Sequence, residues 1–305
     1  MGRSSRIMVN RRSLLKTGVM SGVALALSGL NIKDVQAVTT YCGLDSWSTI
    51  CCSMPLNFYI GRGGEAGSWD SSYFNTTSAS GAGTSYSHIY WWLHGPNDTP
   101  SGVTDYNWGK QQATAAGNAW YGDGGCTWAP YAYGKTFFAD IEYSGSTYYG
   151  WRTDGSSASK TRNQKVLEGW LDGIAGYLRS GYNPGFIPGF YTRPNIWSVL
   201  FGTSYKTPRG GVLWISGCKT NCSNICSPCS NNCSTTLTDV ANAFPSVAGT
   251  ILGGNKSVVW QYWIDCSGNC GCGTNGDWDA TQQSGYQNFS PVTSSTAYSI
   301  TGCSC

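Results

Sequence analysis

Two acidic side chains, Asp140 and Glu142, lie two residues apart at the end of a short apolar stretch. Side chains alternate between the two faces of a β-strand, so both carboxyl groups share one face, while Phe137, Ala139 and Ile141 make the other face wholly apolar. Residues two apart on a strand are about 6.5–7 Å apart. Two carboxyl groups at this spacing can flank a glycosidic bond, one as proton donor and the other as stabiliser, nucleophile or base. The alternative is a strand that simply runs out into a polar loop.

The wholly apolar face indicates a barrel strand that carries helices outside and a site at its C-terminal end. Short apolar strands alternate with helical patterns along the chain, which predicts parallel pairing with right-handed crossovers. We therefore expect an α/β fold, a (β/α)8-like barrel of the TIM type, complete or incomplete. The predicted strands are Tyr41–Trp47, Asn57–Arg62, Ser87–Leu93, Lys135–Glu142, Phe186–Tyr191, Gly211–Ser216 and Ser257–Trp263, with Thr296–Ile300 as the remaining candidate for an eighth.

Four helices are predicted between these strands, and the second has the clearest apolar stripe. That stripe runs through Val166, Leu167, Trp170, Leu171, Ile174 and Leu178. The four spans are Thr104–Tyr121, with Thr104 or Asp105 as the cap, Ser159–Ser180, Arg193–Phe201 and Thr238–Gly249.

The first 37 residues have the pattern of an export signal. Asn10–Lys16 matches the twin-arginine motif, the apolar run Thr17–Leu30 follows, and Val35–Ala37 resembles a cleavage site. The alternative is an N-terminal anchor that is not removed. We expect export, with the twin-arginine translocase as a transient partner and only transient contact with the membrane. The mature protein would be periplasmic, cell-wall-bound or extracellular. The remaining residues, 38–305, number 268, which suits one barrel domain.

Composition limits the partners and ligands that the chain is expected to bind. Charged residues make up 11% of the chain, against about 25% in ordinary domains, and basic residues of the signal account for the small positive charge. Nucleic acid is therefore not an expected partner. Fourteen cysteines in an exported chain favour disulfides in the loops near residues 218–233 and 266–272. Zinc is the alternative for the first cluster, but its odd count and the absence of nearby histidine oppose a metal site. No motif indicates a cofactor.

A series of short motifs occurs in a recognisable order. They are Gly43–Asp45, Phe138–Glu142, Gly189–Thr192, Leu213–Ile215 and Trp260–Tyr262, the last followed by Asp277 or Asp279. This order resembles the family 25 lysozymes, which are N-acetylmuramidases with a modified β/α barrel. It is even more similar to the related glycoside hydrolase-like barrel domain of exported bacterial proteins.

The resemblance implies a role for each matching residue. Glu142 would be the general acid, and Asp140 would stabilise positive charge directly or through the N-acetyl group of the substrate. Asp45 would orient this pair, and Tyr191 and Gln261 would line the sugar site. Asp279 is preferred to Asp277 as the last acid, although the insertion of residues 266–272 before it departs from the family pattern.

Further substrate-binding candidates lie at the ends of the predicted strands. The rings of Trp92, Trp214 and Tyr262 could stack on sugar faces. Arg62 could bind substrate or pair with the acids. His88 and His94 are expected to be ordinary structural residues.

The sequence thus predicts an exported glycoside hydrolase that cleaves a cell-wall or other extracellular polysaccharide, such as peptidoglycan, by carboxylate acid/base catalysis. The alternative is a carbohydrate-binding or cell-surface protein that keeps the barrel without turnover, since fold does not fix function. A coat protein linked by disulfides between chains is a third class.

Overall fold

The structure is a computed structural model that describes residues 40–46, 58–69, 87–122, 136–142, 149–178, 181, 184–216, 251–263 and 277–282. Several predictions fall outside these residues. They are the export signal 1–37, both cysteine-rich segments, the helix Thr238–Gly249 and the strand Thr296–Ile300.

Eight strands form a closed ring. Six parallel pairings join β1, β2, β4, β5, β6, β7 and β9 in chain order, and β10 closes the ring by pairing antiparallel with both β9 and β1. The short strands β3 and β8 pair antiparallel with β2 and β9. The bounds are β1 Thr40–Ser46, β2 Phe58–Glu65, β3 Ser68–Trp69, β4 Ser87–Trp92, β5 Thr136–Asp140, β6 Ile187–Thr192, β7 Val212–Ser216, β8 Ile251–Leu252, β9 Asn255–Trp263 and β10 Asp277–Gln282.

The predicted α/β class with parallel strands is confirmed, and seven predicted strands match strands of the ring. The eighth strand of the ring is Asp277–Gln282, which the sequence did not reveal, and the weak candidate Thr296–Ile300 lies outside the described residues. The strand Asp277–Gln282 is also antiparallel, so the ring departs from the strict (β/α)8 pattern. An antiparallel partner needs no crossover helix, and the helix–strand alternation used to find the other strands could not reveal it.

Strand β5 separates two apolar clusters, as its alternation predicts. Phe137, Ala139 and Ile141 are fully buried in the larger cluster, which contains the helices. Phe138 points the other way, into the ring, where it packs with apolar side chains of five other strands. This inner cluster comprises Phe58, Ile60, Tyr90, Phe138, Tyr191, Val212, Trp214 and Val259. The ring is therefore a packed core, with Asp140 on the same face as Phe138.

Three α-helices are described: α1 Asp105–Gly122, α2 Ser157–Ala175 and α3 Pro194–Leu200. The Thr104 hydroxyl accepts a hydrogen bond from the Asn107 backbone amide at 3.2 Å, which confirms one predicted cap of α1. The Ser156 hydroxyl caps α2 in the same way. Among the helices of the described residues, none is long and apolar enough to span a bilayer.

Helix α2 ends five residues earlier than its apolar stripe predicted. Its end is Ala175, followed by Gly176 as the cap, whose amide donates to the Asp172 carbonyl. Tyr177 then folds back and donates to Asn118 of α1 at 2.7 Å. The predicted place of Leu178 in the stripe is therefore wrong, since this side chain lies beyond the helix and is 60% exposed.

Helices α1 and α2 pack closely through glycine. A methyl group added at Gly169 of α2 would overlap the backbone carbonyl oxygen of Tyr106 in α1. Backbone-to-backbone contact of this kind requires a residue without a side chain. The two helices thereby form a tight outer layer against the strands that carry the candidate site.

Candidate active site

Four predicted site residues lie side by side at one end of the ring. The strand register pairs Trp92 of β4 with Asp140 of β5, Asp140 with Tyr191 of β6, and Tyr191 with Trp214 of β7. Paired residues on neighbouring strands are about 4.8 Å apart and point to the same face. The Tyr191 and Trp214 rings are in contact, with centroids 4.4 Å apart. The parallel register therefore assembles a continuous row from positions up to 122 residues apart in sequence.

Asp140 and Glu142 occupy different depths at the end of β5. Asp140 is the last residue of the strand and only 6% exposed, whereas Glu142 lies two residues beyond it and is half-buried. Trp92 of β4 is paired with Asp140 in the strand register. Oδ1 of Asp140 is buried and has no hydrogen-bond partner among the described residues. An unsatisfied buried acceptor is costly, and such groups are concentrated at functional sites.

Both carboxyl groups hold protons more tightly than usual. Burial, and then the negative charge of Glu142, raise the pKa of Asp140 well above its ordinary value, against the opposing effects of Trp92, Arg62 and Arg193. Burial also raises the pKa of Glu142, and the guanidinium of Arg193 opposes this rise. A carboxyl group with a raised pKa keeps its proton to higher pH than an exposed carboxyl group does, and a general acid needs such a proton.

A chain of buried hydrogen bonds links Tyr191 to two more predicted residues across the ring. The Tyr191 hydroxyl donates to Oε1 of Gln261 at 2.7 Å. Nε2 of Gln261 then donates to Oδ2 of Asp45 at 2.9 Å. Burial, and then the charges of Glu142 and Asp140, raise the pKa of Tyr191, so its hydroxyl stays protonated and remains a donor. The chain connects β6, β9 and β1 and fixes the position of the Asp45 carboxylate.

Asp279 lies deeper in the ring than the other acids. Its backbone pairs with Gly43, whereas Asp277 pairs with Asp45. Its side chain is fully buried, and Oδ1 accepts a hydrogen bond from Nε1 of Trp214 at 2.8 Å. Asp279 therefore contacts Trp214, a predicted sugar-binding residue, from a deeper level of the ring.

Arg62 and Trp92 form a stacked pair beside the acids. The Arg62 guanidinium carbon is 3.9 Å from the centre of the Trp92 ring, and an Arg62 nitrogen lies 2.9 Å from a carboxyl oxygen of Glu65. The half-buried Trp92 ring thus lies against the cation of Arg62 and is paired with Asp140 in the strand register. The predicted binding residue Tyr262 lies in β9, but its side chain is outside the part of the chain that the structure describes.

Two neighbours of the site were not among the predicted site residues. Arg193 directly follows β6, and its positive charge opposes the rise that burial causes in the pKa of Glu142. Tyr149 has φ of 42°, a conformation that a bulky residue rarely adopts, and its ring centroid is 4.9 Å from that of Trp92. Nothing in the sequence pattern marks Tyr149, whereas the position of Arg193 directly after a predicted strand was a usable signal.

The two histidines have structural partners. His88 is buried in the ring and accepts a hydrogen bond from the Thr136 backbone amide at 3.1 Å. His94 lies 2.6 Å from a carboxyl oxygen of Asp98. Among the described residues, no group of three or more His, Cys, Asp or Glu side chains is arranged to hold a metal ion.

No known protein family matches the sequence of this chain, and no curated protein does. Solved structures do match. The muramidase from Trichobolus zukalii is 18% identical, with a TM-score of 0.50 over 83% of this chain and 100% of the muramidase. A family GH25 lysozyme from Aspergillus fumigatus is 17% identical, with a TM-score of 0.47 over 83% of this chain and 99% of its own. The bacterial lysozyme from Streptomyces coelicolor is 16% identical, with a TM-score of 0.46 over 79% and 91%.

The chain thus has a fold similar to that of the family 25 lysozymes, which confirms the predicted resemblance at the level of the fold.

Proposed function

We propose that the chain is a glycoside hydrolase that cleaves a cell-wall or other extracellular polysaccharide. The observation that carries the proposal is the acid pair at the end of β5. Burial raises the pKa of both Asp140 and Glu142, and one buried oxygen of Asp140 has no partner among the described residues. One solved structure of similar fold is that of a muramidase, so peptidoglycan is the first substrate to test.

The two acids have different roles in this proposal. Glu142 is half-buried and therefore the more accessible to a sugar, and it donates a proton to the leaving glycosidic oxygen. Asp140 lies deeper and must be ionised while Glu142 carries the proton, so that it stabilises the positive charge that develops on the sugar ring, directly or through an N-acetyl group. Water then adds to the sugar and restores the proton to the pair.

The surrounding residues hold the acids and the sugar. Asp45 orients the pair, and its position is fixed by Gln261. Trp92 and Tyr191 offer ring faces with polar edges, which suit sugar binding. Arg62 binds substrate through the guanidinium that it holds over Trp92. Trp214 supports this row through its contact with Tyr191, and Asp279 supports Trp214.

The second candidate function is a carbohydrate-binding or cell-surface protein without turnover. The observation in its favour is that two guanidinium groups, of Arg62 and Arg193, both lower the proton affinity of Asp140. If these charges keep both acids ionised at working pH, the site has no proton donor. It would then bind a glycan through the same rings and leave it intact.

The proposal includes export of the protein by the twin-arginine pathway. The support is the twin-arginine motif at Asn10–Lys16 and the fourteen cysteines of the chain. Disulfides form and persist outside the reducing cytoplasm. We infer that the barrel domain acts beyond the cytoplasmic membrane, where its glycan substrate is found.

The test is hydrolysis of purified peptidoglycan and of chitin-like oligomers by the mature protein, read as new reducing ends and by mass spectrometry of the products. Glu142→Gln should lower turnover about a hundredfold to ten-thousandfold, the usual contribution of a general acid. Glu168→Gln on α2 is the matched control and should retain full activity. Equal turnover by Glu142→Gln and the wild type would contradict the assignment. A wild type that binds glycan in sedimentation assays without cleaving it would favour the second candidate.

A further inference from the structure

Tyr149 is held against the exit of β4 by backbone contacts. The Gly95 amide donates to the Tyr149 carbonyl at 2.7 Å, and the Asn97 amide donates to the Gly150 carbonyl at 2.9 Å. A methyl group added at Gly95 would lie 2.7 Å from backbone atoms of Gly150, so the two segments touch backbone to backbone. The β4 exit lies at the end of the ring that carries Asp140, and Tyr149 therefore lies at that end as well.

The β4 exit is itself anchored to two helices. The buried Gln112 side chain of α1 accepts from the His94 amide and donates to the His94 carbonyl, both at 2.9 Å. The Arg162 guanidinium of α2 donates to the Pro96 carbonyl at 3.1 Å. The segment that holds Tyr149 is consequently fixed to the outer layer of the fold.

The backbone of Tyr149 is strained. Its φ of 42° lies in the left-handed region, which a bulky residue rarely adopts. Glycine or asparagine would take this conformation at lower cost. Backbone strain persists only where the surrounding contacts enforce it, and it is concentrated at active sites and ligand-binding sites. What the strained tyrosine supplies, and glycine or asparagine would not, is an aromatic ring.

That ring extends a row of rings that begins beside the acids. Trp92 is paired with Asp140 in the strand register, and the Tyr149 ring centroid is 4.9 Å from that of Trp92. The His94 ring follows, with its centroid 5.6 Å from that of Tyr149. All three ring-bearing residues are half-buried, so each keeps exposed surface. Rings with polar edges suit the mixed apolar and hydroxyl surface of a sugar.

We propose that Tyr149 forms a second sugar-binding subsite, which holds a sugar of the glycan chain beyond the sugar that the acids contact. The inference rests on the function proposed above and deepens it, because it makes a long glycan the preferred substrate. The Tyr149 ring stacks on the C–H face of that more distant sugar. Its contacts with the β4 exit fix the ring before the glycan arrives, which lowers the entropic cost of binding.

The experiment compares the affinity for a short and a long glycan. The probes are chitin oligosaccharides of two and six sugars, titrated calorimetrically into proteins that carry Glu142→Gln to prevent cleavage. Tyr149→Asn removes the ring and tolerates the left-handed backbone, whereas Tyr149→Phe keeps the ring. Tyr149→Gly replaces Tyr149→Asn if that variant does not fold. The matched control is Tyr205→Asn, which removes a half-buried tyrosine that donates to Glu168 on the helix layer.

Tyr149→Asn should weaken binding of the six-sugar chain about threefold to tenfold, the usual value of one aromatic contact. Binding of the disaccharide should be unchanged, because the disaccharide occupies only the sites next to the acids. Tyr149→Phe and Tyr205→Asn should bind both probes as the parent does. With Glu142 intact, Tyr149→Asn should raise KM for the six-sugar chain more than it lowers kcat.

Three results overturn the inference. One is equal affinity of Tyr149→Asn and its parent for the six-sugar chain, including the case in which only thermal stability falls, which would make Tyr149 merely structural. The second is an equal loss of affinity for both probes, and the third is a parent that binds neither. A wild type that binds the six-sugar chain but cleaves no glycan contradicts the proposed function instead, and the two affinities still decide the role of Tyr149.

Discussion

Replacement of Asp140 by asparagine should stabilise the protein at neutral pH while it abolishes the proposed activity. Buried polar side chains usually stabilise through their hydrogen bonds, so this sign is unusual. Asp140 is 6% exposed, and its Oδ1 lacks a hydrogen-bond partner among the described residues. The amide group of asparagine could donate to Glu142. The substitution removes a buried charge and keeps the shape.

The dependence on pH follows from the direction of the Asp140 pKa shift. Burial, followed by Glu142, raises this pKa in the folded state above the ordinary value of 3.8. The folded protein therefore binds a proton that the unfolded chain has already released, and the free energy of unfolding falls as pH rises from about 4 through the folded pKa. Above that pKa the penalty is constant. Asp140→Asn has no such penalty, so its advantage should be absent near pH 3.5 and grow toward neutral pH.

The expected gain is about 1–2 kcal/mol at neutral pH, typical of the removal of a strained functional group. At about 2–4 °C per kcal/mol for a domain of this size, Tm should rise by about 2–8 °C. The assay is urea unfolding of the wild type and the variant at several pH values between 3.5 and 8. Asp105→Asn is the matched control, because the hydrogen bond from Arg162 holds the pKa of Asp105 below its usual value, and this variant should be less stable than the wild type at neutral pH. A less stable Asp140→Asn variant at pH 7, or a difference independent of pH, would refute the reasoning.

Two further substitutions test the packing that supports the site. Trp214→Phe removes the indole donor to the fully buried Asp279 and should cost about 2 kcal/mol, measured by urea unfolding. The double variant with Asp279→Asn should lose less than the sum of the single losses, and strict additivity would count against the bond. Gly169→Ala should cost about 3 kcal/mol, because its methyl group would overlap the Tyr106 carbonyl. Gly67→Ala, which meets no atom within 4 Å, is its control, and equal effects of the two would contradict the close helix contact.

The sequence predicts best those parts of the fold that have a short-range period. Strand β5 was recognisable because the two faces of the stretch that contains Asp140 differ in polarity over only seven residues. The parallel register then brings Trp92, Tyr191 and Trp214 into one row with Asp140. The stripe of α2 was recognisable as well. Its end was not, because Leu178 continues the spacing while Gly176 and Tyr177 turn the chain away.

The long-range polar contacts could not be predicted from the sequence. The hydrogen bond from Gln261 to Asp45 joins residues 216 positions apart, and no local pattern specifies it. Arg193 follows a predicted strand, as Glu142 does. Its proximity to Glu142, however, depends on the register between β5 and β6 beyond their ends. The strained backbone of Tyr149 is set by the turn that it occupies. Each of these features is a property of the assembled ring.

The antiparallel strand β10 has a chemical consequence for the last acid of the site. In a parallel strand the chain runs toward the ring opening, so later residues lie nearer the substrate. In β10 the chain runs the opposite way, and Asp277 is level with Asp45 while Asp279 is level with Gly43. In the proposed site, Asp279 would therefore act on a sugar through Trp214, which donates a hydrogen bond to it. The choice of Asp279 as a catalytic residue thus remains a prediction, and turnover of Asp277→Asn beside Asp279→Asn would decide it. If turnover falls more in Asp279→Asn than in Asp277→Asn, Asp279 contributes to the reaction in spite of its deeper position in the ring.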